Sequence, residues 1–298
     1  MSILNFGSLN IDKVYRVSRF VKPGETISAQ KYSCFPGGKG LNQSVAVAKA
    51  GGMIFHAGTI GSDGEFLREV LKENGVEDSY LRTSDTVTGN ALIQVADSGE
   101  NCIILFGGSN LENTKEYIDE VLRHFNSEDI LLLQNEISNL DYLLLRASEK
   151  KMRIMLNPSP ISNEIKEMDL SGVTWLIFNE VEGEELTGES NPEKILEKLS
   201  KKYPNMEMIL TLGKKGSLHY KDGIVTKQEC ITIEAVDTTA AGDTFTGYFL
   251  ASISKGIEVK EALVLASYAA AIAVSREGAS ISIPLMEEVE LMRNERKN

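Results

Sequence analysis

The sequence predicts an α/β fold, with a central, mainly parallel sheet covered by helices on both faces and a small β-sheet lid beside it. Short, continuous apolar runs alternate with helical patterns, which is typical of parallel strands that are buried on both faces. Two stretches, at about 9–33 and 88–106, instead alternate apolar and polar residues around turn signals, which indicates antiparallel strands outside the parallel core. The length of 298 residues and the 42% hydrophobic content suit one domain spanning 1–298.

The pattern of each segment supports this fold in chain order. The segment 65–74 is an amphipathic helix followed by Gly75, a residue type that commonly ends helices. Pro23-Gly24 and Ser98-Gly99 mark the turns of the two lid segments. The predicted core strands are 3–6, 53–57, 129–134, 153–156, 175–178 and 208–212, and the other predicted helices are 40–50, 140–150, 181–187, 193–202, 242–254 and 260–275.

Composition excludes several classes of protein. A formal charge of −12 disfavours nucleic acid and anionic membrane surfaces as partners. No apolar run approaches the roughly 18 residues of a membrane span, and the N-terminus lacks a signal-peptide pattern. The three cysteines and three histidines are scattered, with neither a CxxC pair nor zinc-site spacing. We therefore expect a cytoplasmic protein in a reducing compartment.

The familiar nucleotide-binding loops are absent. No GxxxxGK[ST] pattern occurs, and Gly37-Gly38-Lys39-Gly40 has neither its spacing nor the following Ser or Thr. A dinucleotide fingerprint also fails, because Gln43 stands where GxGxxG requires its last glycine. Neither a P-loop NTPase nor an ordinary dehydrogenase is favoured.

The segment 235–249 (AVDTTAAGDTFTGYF) carries the strongest chemical signal. Ala240, Ala241 and Gly242 precede a helical pattern, so a ligand can approach the backbone closely and the first helical N–H groups can bind an anion. Asp243 stands at the same helix start, where the helix dipole stabilises a carboxylate. An anion site beside a carboxylate base is what phosphoryl transfer to an alcohol requires. The alternative for Asp243 is an ordinary helix-capping role.

A family resemblance then covers the whole chain. DTTAAGDTFTG resembles the C-terminal signature of the ribokinase-type (PfkB) carbohydrate kinases, and FPGGKGLNQSVAVAKAGG (35–52), about 200 residues earlier, resembles their N-terminal signature. The resemblance implies a ribokinase-like three-layer fold with a β-sheet lid, and ATP-dependent phosphorylation of a small sugar with D-ribose as the leading substrate. It also implies a homodimer paired through the lid. Further matching blocks are GSLNID (7–12), QNE (134–136), NPSP (157–160), NEVEGEELTG (179–188), TLGKKG (211–216) and AAAIAVSREGA (269–279).

The resemblance also assigns catalytic and sugar-binding roles. Asp243 matches the catalytic base that deprotonates the sugar's terminal hydroxyl, and Ala240, Ala241 and Gly242 match the anion hole. The positions that match sugar contacts are Asn10, Asp12, Gly38, Lys39, Gly40, Asn42 and Glu136.

Nucleotide and metal roles follow from the same resemblance. Asn179 and Glu182 match an NxxE pair that organises Mg²⁺ and the phosphates of ATP. Ser267 falls where the family contacts adenine. The family's nucleotide loop matches Thr211, Gly213 and Gly216, and Lys214 and Lys215 add positive charge there. The family's potassium site matches Asp237, Thr239, Ala273, Arg276, Gly278 and Ser282.

Substrate choice is left open by the sequence, because related kinases with the same machinery act on fructose derivatives, ketodeoxygluconate or nucleosides. A regulator that binds sugar without turnover is a further alternative, although such a protein is expected to have lost Asp243 or Gly242. Tyr248 departs from the family's signature, which usually has a small residue there, and we expect it to alter packing rather than catalysis.

Overall fold

The computed structural model describes residues 1–296 and contains two sheets. In chain order the strands are β1 Ile3–Phe6, β2 Asn10–Val17, β3 Lys31–Gly37, β4 Ile54–Gly61, β5 Glu77–Ser84, β6 Gly89–Ala96, β7 Asn101–Phe106, β8 Ile130–Gln134, β9 Arg153–Asn157, β10 Trp175–Asn179, β11 Glu207–Thr211, β12 Ser217–Lys221 and β13 Ile224–Gln228. The helices are α1 Lys39–Lys49, α2 Glu65–Glu73, α3 Lys115–Leu122, α4 Leu140–Glu149, α5 Asn163–Glu167, α6 Glu180–Thr187, α7 Pro192–Lys202, α8 Ala241–Ser254, α9 Val259–Val274 and α10 Met286–Glu295.

The larger sheet has nine strands in the order β13-β12-β11-β10-β9-β8-β1-β4-β5. Neighbouring strands from β11 to β5 pair in parallel, and β12 and β13 extend the sheet as an antiparallel edge. The predicted mainly parallel core is therefore confirmed. Because parallel strands are connected through crossover helices, their C-terminal ends gather along one edge of the sheet.

Helices cover both faces of this sheet and create two cores. Side chains alternate between the faces, as the two-residue period of a strand requires, so Ile3 and Leu4 belong to different cores. The core containing Ile3 is closed by α1, α2, α8, α9 and α10, and the core containing Leu4 by α3, α4, α5 and α7. Three layers result, with the sheet in the middle.

The smaller sheet is the lid, with strand order β3-β2-β6-β7. Both predicted hairpins form, and their strands pair antiparallel, but the central pair β2–β6 is parallel. The expectation of antiparallel strands throughout was wrong at this pair. Asn10 pairs with Gly89, so both hairpins leave the main sheet side by side and their first strands must run the same way. β3 also continues past residue 33 to Gly37, which carries the chain directly into α1.

Within residues 1–296, no helix is both long enough and apolar enough to cross a bilayer.

Candidate active site

The candidate active site lies where the parallel strands end and the lid begins. Gln134 pairs with Asn157 at the ends of β8 and β9, and Asn179 pairs with Thr211 at the ends of β10 and β11. The C-terminal edge of an open α/β sheet is its usual ligand-binding edge. The residues that the sequence singled out approach this edge from three places: the turn into the lid, the start of α1 and the start of α8.

The start of α8 has the geometry of an anion site. Ala240 caps the helix in the left-handed region, at φ 59°, a conformation that is costly for a residue with a side chain and is typical of functional sites. The first turn that follows has no side-chain cap. Gly242 is exposed, and a Cβ placed on it would meet no atom within 4 Å. Open space therefore lies beside Gly242 in the first turn of α8, where an α-helix leaves N–H groups without intrahelical partners.

Asp243 lies one residue further along α8 and is only 8% exposed. Two amides from consecutive residues of α1 hold its carboxylate. Asn42 Nδ2 donates to Oδ2 at 3.0 Å, and Gln43 Nε2 donates to Oδ1 at 2.9 Å. α1 thus holds in place the carboxylate that α8 carries, one residue after the open position of Gly242.

The glycine-rich loop before α1 packs tightly on the turn into the lid. Gly38 has φ 93°, a left-handed conformation that glycine adopts without strain. A Cβ on Gly40 would lie 2.3 Å from the amide nitrogen of Ser8, so no larger residue fits. Glu136 fastens the loop, because its Oε2 accepts from the Lys39 N–H at 3.1 Å and from the Ser8 hydroxyl at 2.5 Å.

Asn10 and Asp12 begin the first lid strand and face this loop. The buried Asn110 orients Asn10 by donating to its Oδ1 at 2.8 Å, and Asn110 also accepts from the Leu9 N–H at 3.0 Å. The Asn10 Nδ2 group is thereby turned away from Asn110. Asp12 lies so close to Gly37 that a Cβ there would come within 2.1 Å of Oδ2.

Three carboxylates and one lysine share this partly buried pocket. Burial, followed by the charges of Glu136 and Asp243, raises the pKa of Asp12 to about 7. Burial also raises the pKa of Glu136, against the opposing effect of Lys39. For Lys39, burial alone would lower the pKa, but the fields of Asp243, Glu136 and Glu182 outweigh it and the pKa is raised. The pocket therefore concentrates negative charge that hydroxyl donors can stabilise by hydrogen bonding.

The expected phosphate-binding residues lie further along the same sheet edge. Asn179 and Glu182 form a reciprocal capping box at the start of α6, with both hydrogen bonds at 2.9 Å. The turn after β11 is closed by a hydrogen bond from the Leu212 N–H to the Gly216 carbonyl at 2.8 Å. Lys215 in this turn approaches Glu180 at 3.4 Å. Ser267, on α9, uses its hydroxyl on the Leu263 carbonyl of the same helix.

The loop before α8 is joined to the segment after α9 through Asp237. Its Oδ1 accepts from the N–H and hydroxyl of Thr239 at 2.9 and 2.6 Å, and its Oδ2 accepts from the Gly278 N–H at 3.1 Å. Burial opposes ionisation, but these hydrogen bonds outweigh it and hold the pKa of Asp237 below its usual value. Ala273 offers its carbonyl to the Arg276 N–H at 3.1 Å, and the Ser282 hydroxyl donates to Ala279 at 2.8 Å.

Sequence reasoning missed four residues that shape the site: Ser8, Gln43, Asn110 and Gln134. For Ser8, Gln43 and Gln134 the only sequence signal was membership of a matching block, since a lone buried amide or hydroxyl has no pattern of its own. Asn110 carried no signal, because it lies in a short 3₁₀ turn outside every block.

Comparison with known proteins agrees with this geometry. The model of the pfkB family carbohydrate kinases matches residues 2–286. The chain is 35% identical to a ribokinase of Haemophilus influenzae over 95% of each chain, and 33% identical to a ribokinase of Bacillus subtilis over 97% of this chain and 98% of that one.

Solved structures give the same result. A ribokinase from Thermotoga maritima aligns with a TM-score of 0.85 and 36% identity, covering 98% of this chain and 99% of that one. An Arabidopsis thaliana ribokinase complexed with ribose and ATP aligns with a TM-score of 0.85 and 30% identity, covering 98% of both chains. The fold, the site and these likenesses agree, and the chain belongs to the pfkB family of carbohydrate kinases, which makes it a phosphotransferase.

Proposed function

We propose that this chain transfers the γ-phosphoryl group of ATP to the 5-hydroxyl of D-ribose, giving D-ribose 5-phosphate and ADP. The observation that carries the proposal is the Asp243 carboxylate, held by Asn42 and Gln43 beside the open first turn of α8. Relatives at 33–35% identity over nearly the whole chain are ribokinases, which supports ribose among the family's substrates.

In this mechanism Asp243 takes the proton of the 5-hydroxyl as that oxygen attacks the γ-phosphorus. The new O–P bond forms as the bond from the γ-phosphorus to the bridging oxygen breaks, and ADP leaves with that oxygen. Gly242, exposed in the first turn of α8, forms the proposed anion hole with Ala240 and Ala241, and this hole receives the charge on the transferred group. A carboxylate suffices as the base because the transition state is loose and the proton can leave late.

Sugar recognition is supported by an unsatisfied buried atom. Asn42 Oδ1 is buried and has no hydrogen-bond partner among residues 1–296, although its Nδ2 is bonded to Asp243. A buried acceptor without a donor is costly, and a sugar hydroxyl would supply that donor. Ionised Asp12 suits a pair of neighbouring hydroxyls, because a carboxylate accepts two hydrogen bonds side by side. Asn10, Gly38, Lys39, Gly40 and Glu136 complete the proposed sugar pocket.

Nucleotide binding is assigned to the turn after β11 and to α9. Thr211, Gly213 and Gly216 would hold the nucleotide, with the lysines of the turn near its phosphates, and Ser267 would contact adenine. Solved ribokinases in complex with ADP, or with ribose and ATP, support ATP as the phosphoryl donor.

Magnesium fits Asn179 and Glu182 as oxygen donors that bind largely through water. Within residues 1–296 no group of three or more His, Cys, Asp or Glu side chains is arranged to hold a metal. An ion that keeps most of its waters and phosphate ligands does not need such a cage. Mg²⁺ held there would neutralise charge on the phosphates, which matters for a chain of net charge −12.

Potassium fits the loop around Asp237, because one ionised carboxylate among backbone carbonyls suits a large monovalent cation. Asp237 and Thr239 would hold it from the side of α8, and Ala273, Arg276, Gly278 and Ser282 from the side of α9. Asp237 is already hydrogen-bonded to Thr239, close before the anion hole, and to Gly278. A cation there would stiffen the loop that ends at Ala240.

A homodimer through the lid and a cytoplasmic setting complete the proposal. The edge strand β7 exposes four consecutive apolar side chains, Ile103 at 51%, Ile104 at 61%, Leu105 at 54% and Phe106 at 52%. Such a strip favours burial against a second copy.

The cysteines are free thiols, which fits a reducing compartment that contains ATP. Because the lid and the main sheet build one site, we treat residues 1–298 as one domain.

The variant Asp243→Asn tests the assigned base. We expect it to bind ribose and ATP with nearly unchanged affinity, by calorimetry, while turnover falls by about 10²–10⁴-fold because the proton acceptor is gone. Phosphorus NMR of the wild-type product should show a phosphomonoester on C5. Near-normal turnover of Asp243→Asn would remove the base from the proposal.

A further inference from the structure

A side chain that cannot reach any substrate holds one oxygen of the catalytic carboxylate. Gln43 is 0% exposed on α1, and its Nε2 lies 2.9 Å from Asp243 Oδ1. The same Nε2 lies 3.3 Å from Asn157 Oδ1. Its burial excludes Gln43 from direct contact with sugar or nucleotide.

The orientation of the Gln43 amide is fixed by both of these acceptors. Asp243, when ionised, only accepts hydrogen bonds, so it requires the NH₂ end of the amide. Asn157 requires the same orientation of the Gln43 amide, independently of Asp243. Its Nδ2 donates to the Ile177 carbonyl at 3.0 Å, which leaves its Oδ1 facing Gln43. Two neighbours therefore demand the NH₂ end of Gln43.

The oxygen end of Gln43 is fixed by a second buried chain of amides. Gln134 Nε2 donates to Gln43 Oε1 at 2.8 Å and to Asn5 Oδ1 at 3.1 Å. Asn5 Nδ2 in turn donates to the Gly40 carbonyl at 2.7 Å. Because a carbonyl only accepts, Gly40 fixes Asn5, Asn5 fixes Gln134, and Gln134 fixes Gln43. The hydrogen bonds that begin at Gly40 in the sugar loop therefore fix Gln43 in the same orientation as its hydrogen bond to Asp243.

We propose that Gln43 is a positioning residue for Asp243, and that the Gln134–Asn5 chain keeps its NH₂ end on the carboxylate. The proposal rests on the proposed function, since it assigns a second support to the same base. If the Gln43 amide turned its oxygen toward the carboxylate, repulsion between the two would displace the base. Locked amides avoid this, and consecutive hydrogen bonds polarise one another in a buried site.

The first test is Gln43→Met, which keeps length and bulk but removes the donor. We expect kcat to fall by about tenfold or more, because a small misplacement of a reacting group is costly, while KM for ribose and ATP stays within about threefold. Tyr248→Phe is the matched control. It also breaks a buried hydrogen bond on α8, from the Tyr248 hydroxyl to the Pro284 carbonyl at 2.7 Å, and should leave kcat unchanged.

The second test reads the carboxylate itself. In a high-resolution crystal structure of Gln43→Met, Asp243 should adopt a second rotamer or turn from its wild-type position. Gln134→Met should shift the same carboxylate without touching it, and serves if Gln43→Met fails to fold. An unmoved carboxylate in these variants, or a kcat of Gln43→Met equal to that of Tyr248→Phe, would overturn the proposal. If the wild type fails to phosphorylate ribose, the proposed function fails, and the position of the carboxylate alone decides the role of Gln43.

Discussion

The variant Asp12→Asn should make the empty protein more stable at neutral pH while removing sugar binding. Burial, then Glu136 and Asp243, raise the pKa of Asp12 from 3.8 to about 7. Ionised Asp12 is therefore disfavoured in the folded, unliganded chain relative to the unfolded chain. Asparagine has nearly the same shape and no charge, so the substitution removes this cost without opening a cavity.

The magnitude and its sign follow from proton linkage. Each pKa unit corresponds to about 1.4 kcal/mol, so a pKa raised to about 7 sets an upper limit of about 4 kcal/mol. Below pH 3.8, the pKa of Asp12 in the unfolded chain, the carboxyl is protonated in both states and does not change the free energy of unfolding. The folded state loses stability as pH rises from there, and the loss is complete above the folded pKa of about 7. The free energy of unfolding of Asp12→Asn should thus equal that of the wild type near pH 4 and exceed it most at pH 8.

The assay compares urea unfolding and thermal midpoints of both proteins from pH 4 to pH 8. For a chain of this length, the upper limit corresponds to a rise in midpoint of about 6 °C at pH 8. Groups that do not interact with Asp12 respond to pH equally in both proteins, so the difference between the two curves reports Asp12 together with its coupling to Glu136 and Asp243. A constant difference across this range would refute the reasoning.

Ribose should narrow the difference in midpoint at pH 8, and should reverse it at concentrations above about 1,000 times Kd. The sugar's hydroxyls donate to ionised Asp12, so ribose should raise the midpoint of the wild type and leave Asp12→Asn nearly unchanged. Equal shifts in both proteins would remove Asp12 from the sugar site.

Three further predictions concern packing, the cation and the lid. Tyr248→Phe should lower the free energy of unfolding by about 1–2 kcal/mol in urea, because it leaves the buried Pro284 carbonyl unpaired; no loss would mean that water replaces the hydroxyl. Replacing K⁺ by Na⁺ at fixed Mg²⁺ should lower kcat in the wild type but not in Asp237→Asn, and equal wild-type rates in both salts would contradict the cation site. Ile104→Asp should halve the molar mass in sedimentation, whereas a monomeric wild type would exclude the lid dimer.

The sequence predicted the main sheet and its covering helices well, because continuous apolar strands and periodic helices each leave a local pattern. It did not predict β5, where Glu77–Ser84 is mostly polar and lacks a clear alternation, the edge strands β12 and β13, or the helices α3, α5 and α10. It also could not give the direction of the β2–β6 pair, which depends on how two distant hairpins meet.

The site shows the same division between local and non-local information. Asp243 and the glycines around it were found because backbone chemistry leaves a motif. Gln43 and Asn110 were not found, since what they do depends on partners 200 and 100 residues away in the chain. Tyr248 fits where a small residue was expected because the Pro284 carbonyl lies within reach of its hydroxyl.

The most direct test of the central claim is ADP release by the purified protein with Mg²⁺ and K⁺ present. D-ribose, fructose, ketodeoxygluconate, adenosine and no acceptor should be compared at equal concentration. We expect strong release with ribose and little with the others. Release with a different acceptor would keep Asp243 and its anion hole but contradict the sugar pocket described here, and no release with any acceptor would contradict the assignment of ribose phosphorylation.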